Sequence, residues 1–145
     1  MTGLICNEVE RKKIEMITCR FKNALLIDDN HIDNMINQRI LTNYSIAENI
    51  ISSLSAFEAL AYLNQHLQDE NIFPDLIFLD IRMPEMDGFQ FLEAFEKLNA
   101  PFKSRTKIYM LSSSLDPTDQ RRVLECKYVL RFIGKPLTSS HLHNI

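Results

Sequence analysis

The chain has 145 residues, of which 46% are hydrophobic, and a formal net charge of −3. This length suits one domain with a substantial hydrophobic core. The acidic balance and the lack of a basic tract argue against a nucleic-acid partner. No apolar stretch approaches the roughly 20 residues that a membrane span needs. The three cysteines show neither zinc-ligand spacing nor a redox pair, so reduced thiols and a cytoplasmic location are expected.

Residues 1–20 precede the first strand-like run. Charged residues such as Glu8, Arg11 and Lys12 interrupt this segment, which is therefore no secretory signal peptide. We interpret it as an N-terminal extension that is either a short helix or disordered. The folded domain is placed at residues 21–145.

From residue 21 onward, short β-rich runs alternate with helical patterns. Strands are predicted at about residues 23–27, 46–51, 76–79, 107–111 and 129–133. The first helix starts near Asn30, and its apolar face is predicted from Ile32, Met35, Ile36 and Ile40. The last three strands carry few outward polar residues, which is typical of a parallel sheet covered on both faces. The order is (βα)5.

The remaining helices have recognisable start signals. Ser55 followed by Glu58 predicts a capping box. Asp116 with Pro117 predicts an N-cap followed by proline at the first helical position. The third helix carries an apolar face of Phe91, Leu92, Phe95 and Leu98. Only ten residues follow Lys135, so a final helix near Ser139 is limited to about two turns.

Charged side chains directly follow three of the apolar runs. Asp28 and Asp29 end the first, Asp80 the third, and Lys135 the fifth. In an open α/β fold the carboxyl ends of parallel strands share one edge, where ligands bind. Clustered carboxylates repel unless a proton or cation neutralises them, and Mg2+ or Mn2+ suits such oxygen ligands. An aspartate can also form an aspartyl phosphate, with a lysine pairing to the phosphoryl oxygens.

Each of these residues has an ordinary structural explanation when taken alone. Asp28 and Asp29 could simply cap the next helix, Lys135 could be a solvated loop residue, and Ser112 could belong to a turn. Their joint occurrence in order on successive strand ends favours a functional site.

Four motifs together resemble the receiver domain of two-component response regulators. They are Leu-Ile-Asp-Asp-Asn at 26–30, Asp-Ile-Arg-Met-Pro-Glu-Met-Asp-Gly at 80–88, the Ser112-Ser113 pair, and Lys135-Pro136. The resemblance covers about residues 22–142. It implies a flavodoxin-like (βα)5 fold with a doubly wound, five-stranded parallel sheet. It also implies a signalling phosphoacceptor that assists its own phosphorylation and dephosphorylation but is not an enzyme. Because the chain is too short for an attached DNA-binding output domain, a stand-alone receiver is expected.

The resemblance also implies roles for the acids. By motif position, Asp80 is the phosphorylated residue. Asp29 and Asp80 bind Mg2+ directly together with the backbone carbonyl of Arg82, and Asp28 acts on the metal largely through water.

Further roles follow from the other motifs of the family. Ser112, Ser113 and Lys135 are expected to contact the phosphoryl group. Ser112 and Phe132 take the positions of the switch residues, although a phenylalanine inside a strand can equally be plain core. The Lys135–Pro136 bond is a candidate for the cis form.

The expected partners are a sensor histidine kinase or histidine phosphotransfer protein, an unknown downstream protein, and, left open, a second copy of the chain. An intermediate phosphorelay receiver or phosphate sink is the main alternative. A haloacid-dehalogenase-like phosphatase would need a second aspartate where Arg82 stands. A flavin mononucleotide carrier would need a Ser/Thr/Gly-rich loop where Asp28 and Asp29 stand.

Overall fold

The computed structural model describes residues 19–145. The expectation for residues 1–20 therefore lies outside the described residues, apart from Cys19 and Arg20. Within the described part of the chain, no helix is long and apolar enough to cross a membrane. The elements in chain order are β1 (Phe21–Ile27), α1 (His31–Asn43), β2 (Ala47–Ser53), α2 (Ala56–Gln65), β3 (Leu76–Asp80), α3 (Gly88–Glu96), a short 3-10 turn (Lys103–Arg105), β4 (Lys107–Ser112), α4 (Pro117–Leu124), β5 (Val129–Gly134) and α5 (Ser139–Leu142).

The five strands form one parallel sheet in the order β2-β1-β3-β4-β5. The predicted flavodoxin-like (βα)5 fold is confirmed. In this order β1 and β3 are neighbours, with Leu25 opposite Ile77 and Ile27 opposite Leu79. The residues that follow β1 and end β3 consequently lie side by side at one edge of the sheet.

Two hydrophobic layers cover the two faces of the sheet. Alternate side chains of a strand point to opposite faces, so Leu25 and Ile77 pack with α2, α3 and α4. Leu26 and Phe78 pack on the other side, against α1 and α5. Both central strands are therefore buried on both faces, which explains their continuous apolar runs.

Helix α1 is oriented differently from the sequence expectation. Its apolar residues Ile32, Met35 and Ile36 are 63%, 55% and 49% exposed. The helix instead buries Asn34, whose side-chain amide donates to the carbonyls of Asp28 (3.0 Å) and Ser53 (3.2 Å). Because these hydrogen bonds tie α1 to the ends of β1 and β2, three residues of the predicted apolar face point outward, and the fourth, Ile40, packs against the core.

The other helix ends follow their start signals with small differences. The Ser55 hydroxyl accepts the N–H of Glu58, but the Glu58 carboxylate accepts the N–H of Leu54 rather than that of the cap residue. Asp116 caps α4 as predicted, accepting the N–H of Thr118 at 2.8 Å. Helix α5 has only 4 residues, half the length that the sequence allows.

Candidate functional site

Three carboxylates meet at the carboxyl edge of the sheet. Asp28 and Asp29 follow β1 directly, and Asp80 is the last residue of β3. One carboxylate oxygen of each lies within 4.8 Å of the other two. Asp28 and Asp80 are buried and Asp29 is exposed, so the cluster opens to solvent on one side. The sheet thus brings together the three acids that the sequence placed at this edge.

Lys135, just beyond β5, reaches across this edge into the acidic cluster. Its ammonium nitrogen lies 2.6 Å from a carboxylate oxygen of Asp28 and 3.4 Å from one of Asp80. The backbone N–H of Lys135 donates to the carbonyl of Ser112, and its peptide bond to Pro136 is cis. The lysine is therefore anchored by its backbone to the end of β4 and by its side chain to the acids.

Burial and charge act against each other in this cluster. The pKa of Asp80 is raised to about 6, mainly by burial and further by the charge of Asp28, and Lys135 partly offsets these effects. Burial alone would lower the pKa of Lys135, but its hydrogen bond to Asp28 and the nearby carboxylate charges raise the pKa above its usual range. Lys135 stays protonated, and one ammonium faces an excess of carboxylates. Oxygen ligands with excess negative charge fit a hard divalent cation.

The raised pKa of Asp80 predicts how stability depends on pH in the absence of metal. Between about pH 4 and pH 6 the folded chain binds more protons at Asp80 than the unfolded chain, so stability falls as pH rises through this window. Asp80→Asn should therefore unfold at a higher urea concentration than wild type at pH 7.5 in EDTA. Its free energy of unfolding should be higher by about 2 kcal/mol. The advantage should disappear near pH 4. A variant less stable than wild type at pH 7.5 would contradict this electrostatic description.

The expected switch residues lie on neighbouring strands. Ser112 ends β4, is buried, and accepts the N–H of Ser114 through its hydroxyl oxygen at 3.0 Å. Ser113 is exposed in the loop that follows. Phe132 lies in β5 opposite Met110, is half-buried, and packs against the core. The hydroxyl of Ser112 is thus held by the β4–α4 loop.

The side chain of Arg82 pairs with a different acid, outside the cluster at the edge of the sheet. Its guanidinium forms an ion pair with Asp119 in the first turn of α4, and this carboxylate is only 4% exposed. The pair joins the loop after β3 to α4. The pairing of Asp119 with Arg82, 37 residues earlier in the chain, has no signal in the sequence.

A fourth acid was also missed. Asp33, in the first turn of α1, lies 3.1 Å from the ammonium of Lys135. A usable signal was present, because Asp33 comes four residues after Asp29 and so lies about one helical turn beyond the strand end.

Gly88 closes the loop that follows Asp80. Its N–H donates to the carbonyl of Ile81 at 2.9 Å. A Cβ at position 88 would lie 2.7 Å from the Asp80 carbonyl oxygen and 2.9 Å from the end of the Met110 side chain. The start of α3 can therefore approach the end of β3 only because residue 88 has no side chain.

A family model described as the response regulator receiver domain matches residues 24–145 of the chain. The chain belongs to this family. The receiver is 34% identical to a two-component response regulator from Cytophaga hutchinsonii of known crystal structure. That similarity covers 86% of this chain and 93% of the other, with a TM-score of 0.79.

Two further relatives extend the comparison. The receiver is 33% identical, over 84% of its length, to hybrid signal transduction histidine kinase L of Dictyostelium discoideum. It is 25% identical to the receiver domain of the histidine kinase CKI1 from Arabidopsis thaliana, crystallised with Mg2+ and BeF3−. There the TM-score is 0.63, and 76% of this chain and 80% of that chain are covered. The matched part of this chain spans 7% of the length of the Dictyostelium kinase and 52% of the length of another of the first curated relatives.

Family membership decides between the alternatives drawn from the sequence. Receivers are signalling phosphoacceptors rather than classical enzymes, and the family is associated with histidine kinases. A receiver site therefore explains the cluster of three acids in place of a phosphatase site or a flavin site. The three acids of this receiver form a cluster fit for a metal ion, and one homologous receiver has been crystallised with Mg2+.

Proposed function

We propose that this receiver accepts a phosphoryl group on Asp80 from a phosphohistidine of a sensor histidine kinase or histidine phosphotransfer protein. The observation that carries the proposal is the position of Asp80 at a strand end, among two other acids and within reach of Lys135. In the transfer, an Asp80 oxygen bonds to phosphorus while the phosphorus–nitrogen bond breaks, and the imidazole keeps the electron pair. The product is an aspartyl phosphate.

The direct ligands proposed for Mg2+ are Asp29, Asp80 and the backbone carbonyl of Arg82, with Asp28 acting largely through water, and Mn2+ is an alternative ion. The support is chemical: three close carboxylates with one lysine retain excess negative charge, and burial together with the charge of Asp28 raises the pKa of Asp80. A bound ion would neutralise charge on the transferring group.

The groups proposed to contact the phosphoryl oxygens are Lys135, Ser112 and Ser113. Lys135 lies in the pocket, and the Ser112 hydroxyl, which accepts the N–H of Ser114, keeps its own O–H donor for a phosphoryl oxygen once the β4–α4 loop moves inward. Ser113 is exposed in the β4–α4 loop and needs the same loop movement.

The outward face of α1 supports a protein as the phosphodonor. Ile32, Met35 and Ile36 line a shallow, mostly apolar groove on this helix, whose first turn adjoins the pocket through Asp33. A contiguous apolar patch beside a polar site is typical of a protein interaction surface. The donor would bury this face while presenting its phosphohistidine to Asp80.

Acetyl phosphate provides a direct test of the phosphoacceptor proposal. Incubated with Mg2+ and acetyl phosphate, the intact protein should gain the mass of one phosphoryl group, because the acids hold the ion and Asp80 attacks. EDTA should prevent the gain, and hydroxylamine should reverse it, as expected for an acyl phosphate. A gain that survives hydroxylamine, or no gain at all, would contradict the proposal.

The output surface is proposed to be the face formed by α4, β5 and α5. Leu115, Leu124 and Leu130 are 66%, 85% and 57% exposed on or beside it, and Phe132 lines the same shallow cavity. Phosphorylation would draw Ser112 toward the phosphoryl group and open space for Phe132. A downstream protein or a second copy of the chain would bind the altered surface.

Amide NMR shifts should locate this response. On addition of Mg2+ and beryllofluoride, residues 112–135 should shift more than residues 34–43 of α1, because the switch residues lie in the first segment. About 5.5 kcal/mol of differential interaction is needed to move such an equilibrium from 1:99 to 99:1. Shifts confined to the loop after Asp80 would instead indicate an intermediate phosphorelay receiver or a phosphate sink.

A further inference from the structure

The ammonium group of Lys135 donates hydrogen bonds to two carboxylates and forms an ion pair with a third. An ammonium offers three N–H donors and no acceptor. Three carboxylate oxygens surround it, from Asp28 at 2.6 Å, Asp33 at 3.1 Å and Asp80 at 3.4 Å. Asp28 and Asp33 accept hydrogen bonds, whereas the contact with Asp80 is an ion pair only. A phosphoryl group on Asp80 therefore competes with the neighbouring carboxylates for the ammonium of Lys135.

The three partners differ in how easily they can be released. The Asp28 side chain is 3% exposed and is held in addition by the N–H of Asn30. The Asp80 side chain is 7% exposed and itself carries the phosphoryl group in the proposed function. The Asp33 side chain is 34% exposed. Breaking an ion pair costs most when a buried charge is left behind, and a released Asp33 carboxylate is rehydrated. The ion pair between Lys135 and Asp33 is therefore the one that breaks at the lowest cost.

We propose that Asp33 is a positioning residue that holds Lys135 in the unphosphorylated pocket and is exchanged for a phosphoryl oxygen when Asp80 is phosphorylated. This inference rests on the proposed function. The exchange changes no covalent bond beyond the aspartyl phosphate. The N–H of Lys135 that donates to the Asp33 carboxylate donates to a phosphoryl oxygen instead. Asp33 therefore competes with the phosphoryl group and weakens its retention.

Beryllofluoride binding at saturating Mg2+ measures this competition. Asp33→Ala should bind beryllofluoride about fivefold more tightly than wild type, because Lys135 no longer has to break its ion pair with the Asp33 carboxylate. Asp33→Asn should improve binding only about twofold, because its amide oxygen still accepts from Lys135 without the full charge. In wild type, the carboxyl carbon resonance of 13C-labelled Asp33 should shift when beryllofluoride binds.

The matched control is Glu85→Gln, which removes an exposed carboxylate from the loop after β3 and keeps a long side chain at a residue with φ of 69°. It should bind beryllofluoride within about twofold of wild type, the scale of weak interactions between exposed charges. Equal gains for Asp33→Ala and Asp33→Asn would overturn the inference, because they would indicate simple repulsion by the carboxylate charge. Unchanged or weaker binding by Asp33→Ala would overturn it too. Failure of wild type to bind beryllofluoride would instead contradict the proposed function.

Discussion

Asp80→Asn should lose phosphorylation by acetyl phosphate almost completely, by at least about a thousandfold, the scale seen when a catalytic nucleophile is removed. An amide oxygen is a far weaker nucleophile than a carboxylate. Asp28 offers no substitute, because it is buried and held by both Lys135 and Asn30. Intact-mass spectrometry at matched Mg2+ and acetyl phosphate concentrations measures the effect.

Loss of folding would not explain that result. The substitution removes a buried charge and is expected to stabilise the metal-free chain at neutral pH. Glu85→Gln serves as the control that changes a carboxylate of the same loop, and it should be phosphorylated at the rate of wild type. Labelling of Asp80→Asn on another aspartate, located by peptide mapping, would refute the assignment.

Lys135→Ala should separate metal binding from phosphorylation. Removing the ammonium beside the acids should leave the Mg2+ affinity within about threefold of wild type or increase it. The reason is that the ammonium repels the metal cation at close range. Phosphorylation should slow by about a hundredfold, because the developing phosphoryl charge loses a preorganised donor. Mg2+ titration and initial phosphorylation rates on the same samples provide both measurements.

Asp29→Ala is the matched variant with the opposite pattern. It removes a proposed ligand, so Mg2+ affinity should fall by about tenfold or more, and phosphorylation should recover in part at high Mg2+ concentration. A Lys135→Ala protein that behaves like wild type in both measurements would disprove its proposed phosphoryl contact. Equal loss of Mg2+ affinity in the two variants would place the metal elsewhere.

The strands and the acidic edge were predictable because their signals are local. Runs such as Leu76–Asp80 are apolar throughout since both faces of the strand are buried, and the acid at its end breaks the run. The parallel sheet then dictates that Asp28, Asp29 and Asp80 share an edge. The succession of strands along the chain and the main acids therefore follow from the pattern of residue types, whereas the flavodoxin-like arrangement was implied by the family resemblance.

The orientation of α1 and the partners of two charged residues were not predictable. Helical spacing identified an apolar stripe through Ile36, but two hydrogen bonds from Asn34 decide which side of the helix faces the sheet. The contact of Arg82 with Asp119 spans 37 residues of sequence, and that of Lys135 with Asp33 spans 102. Such pairings depend on three-dimensional packing and leave no periodic trace in the sequence.

The close approach at Gly88 limits which sequences can occupy this fold. Any side chain at position 88 would collide with backbone atoms of residues 80 and 81, which cannot swing aside as the end of a side chain can. Relieving the collision would push back the end of β3 and displace the Asp80 carboxylate from its neighbours. Saturation mutagenesis should therefore find position 88 intolerant even of alanine, while exposed Glu85 three residues earlier accepts polar replacements. The tolerance of this loop to mutation is set by the space available to its backbone.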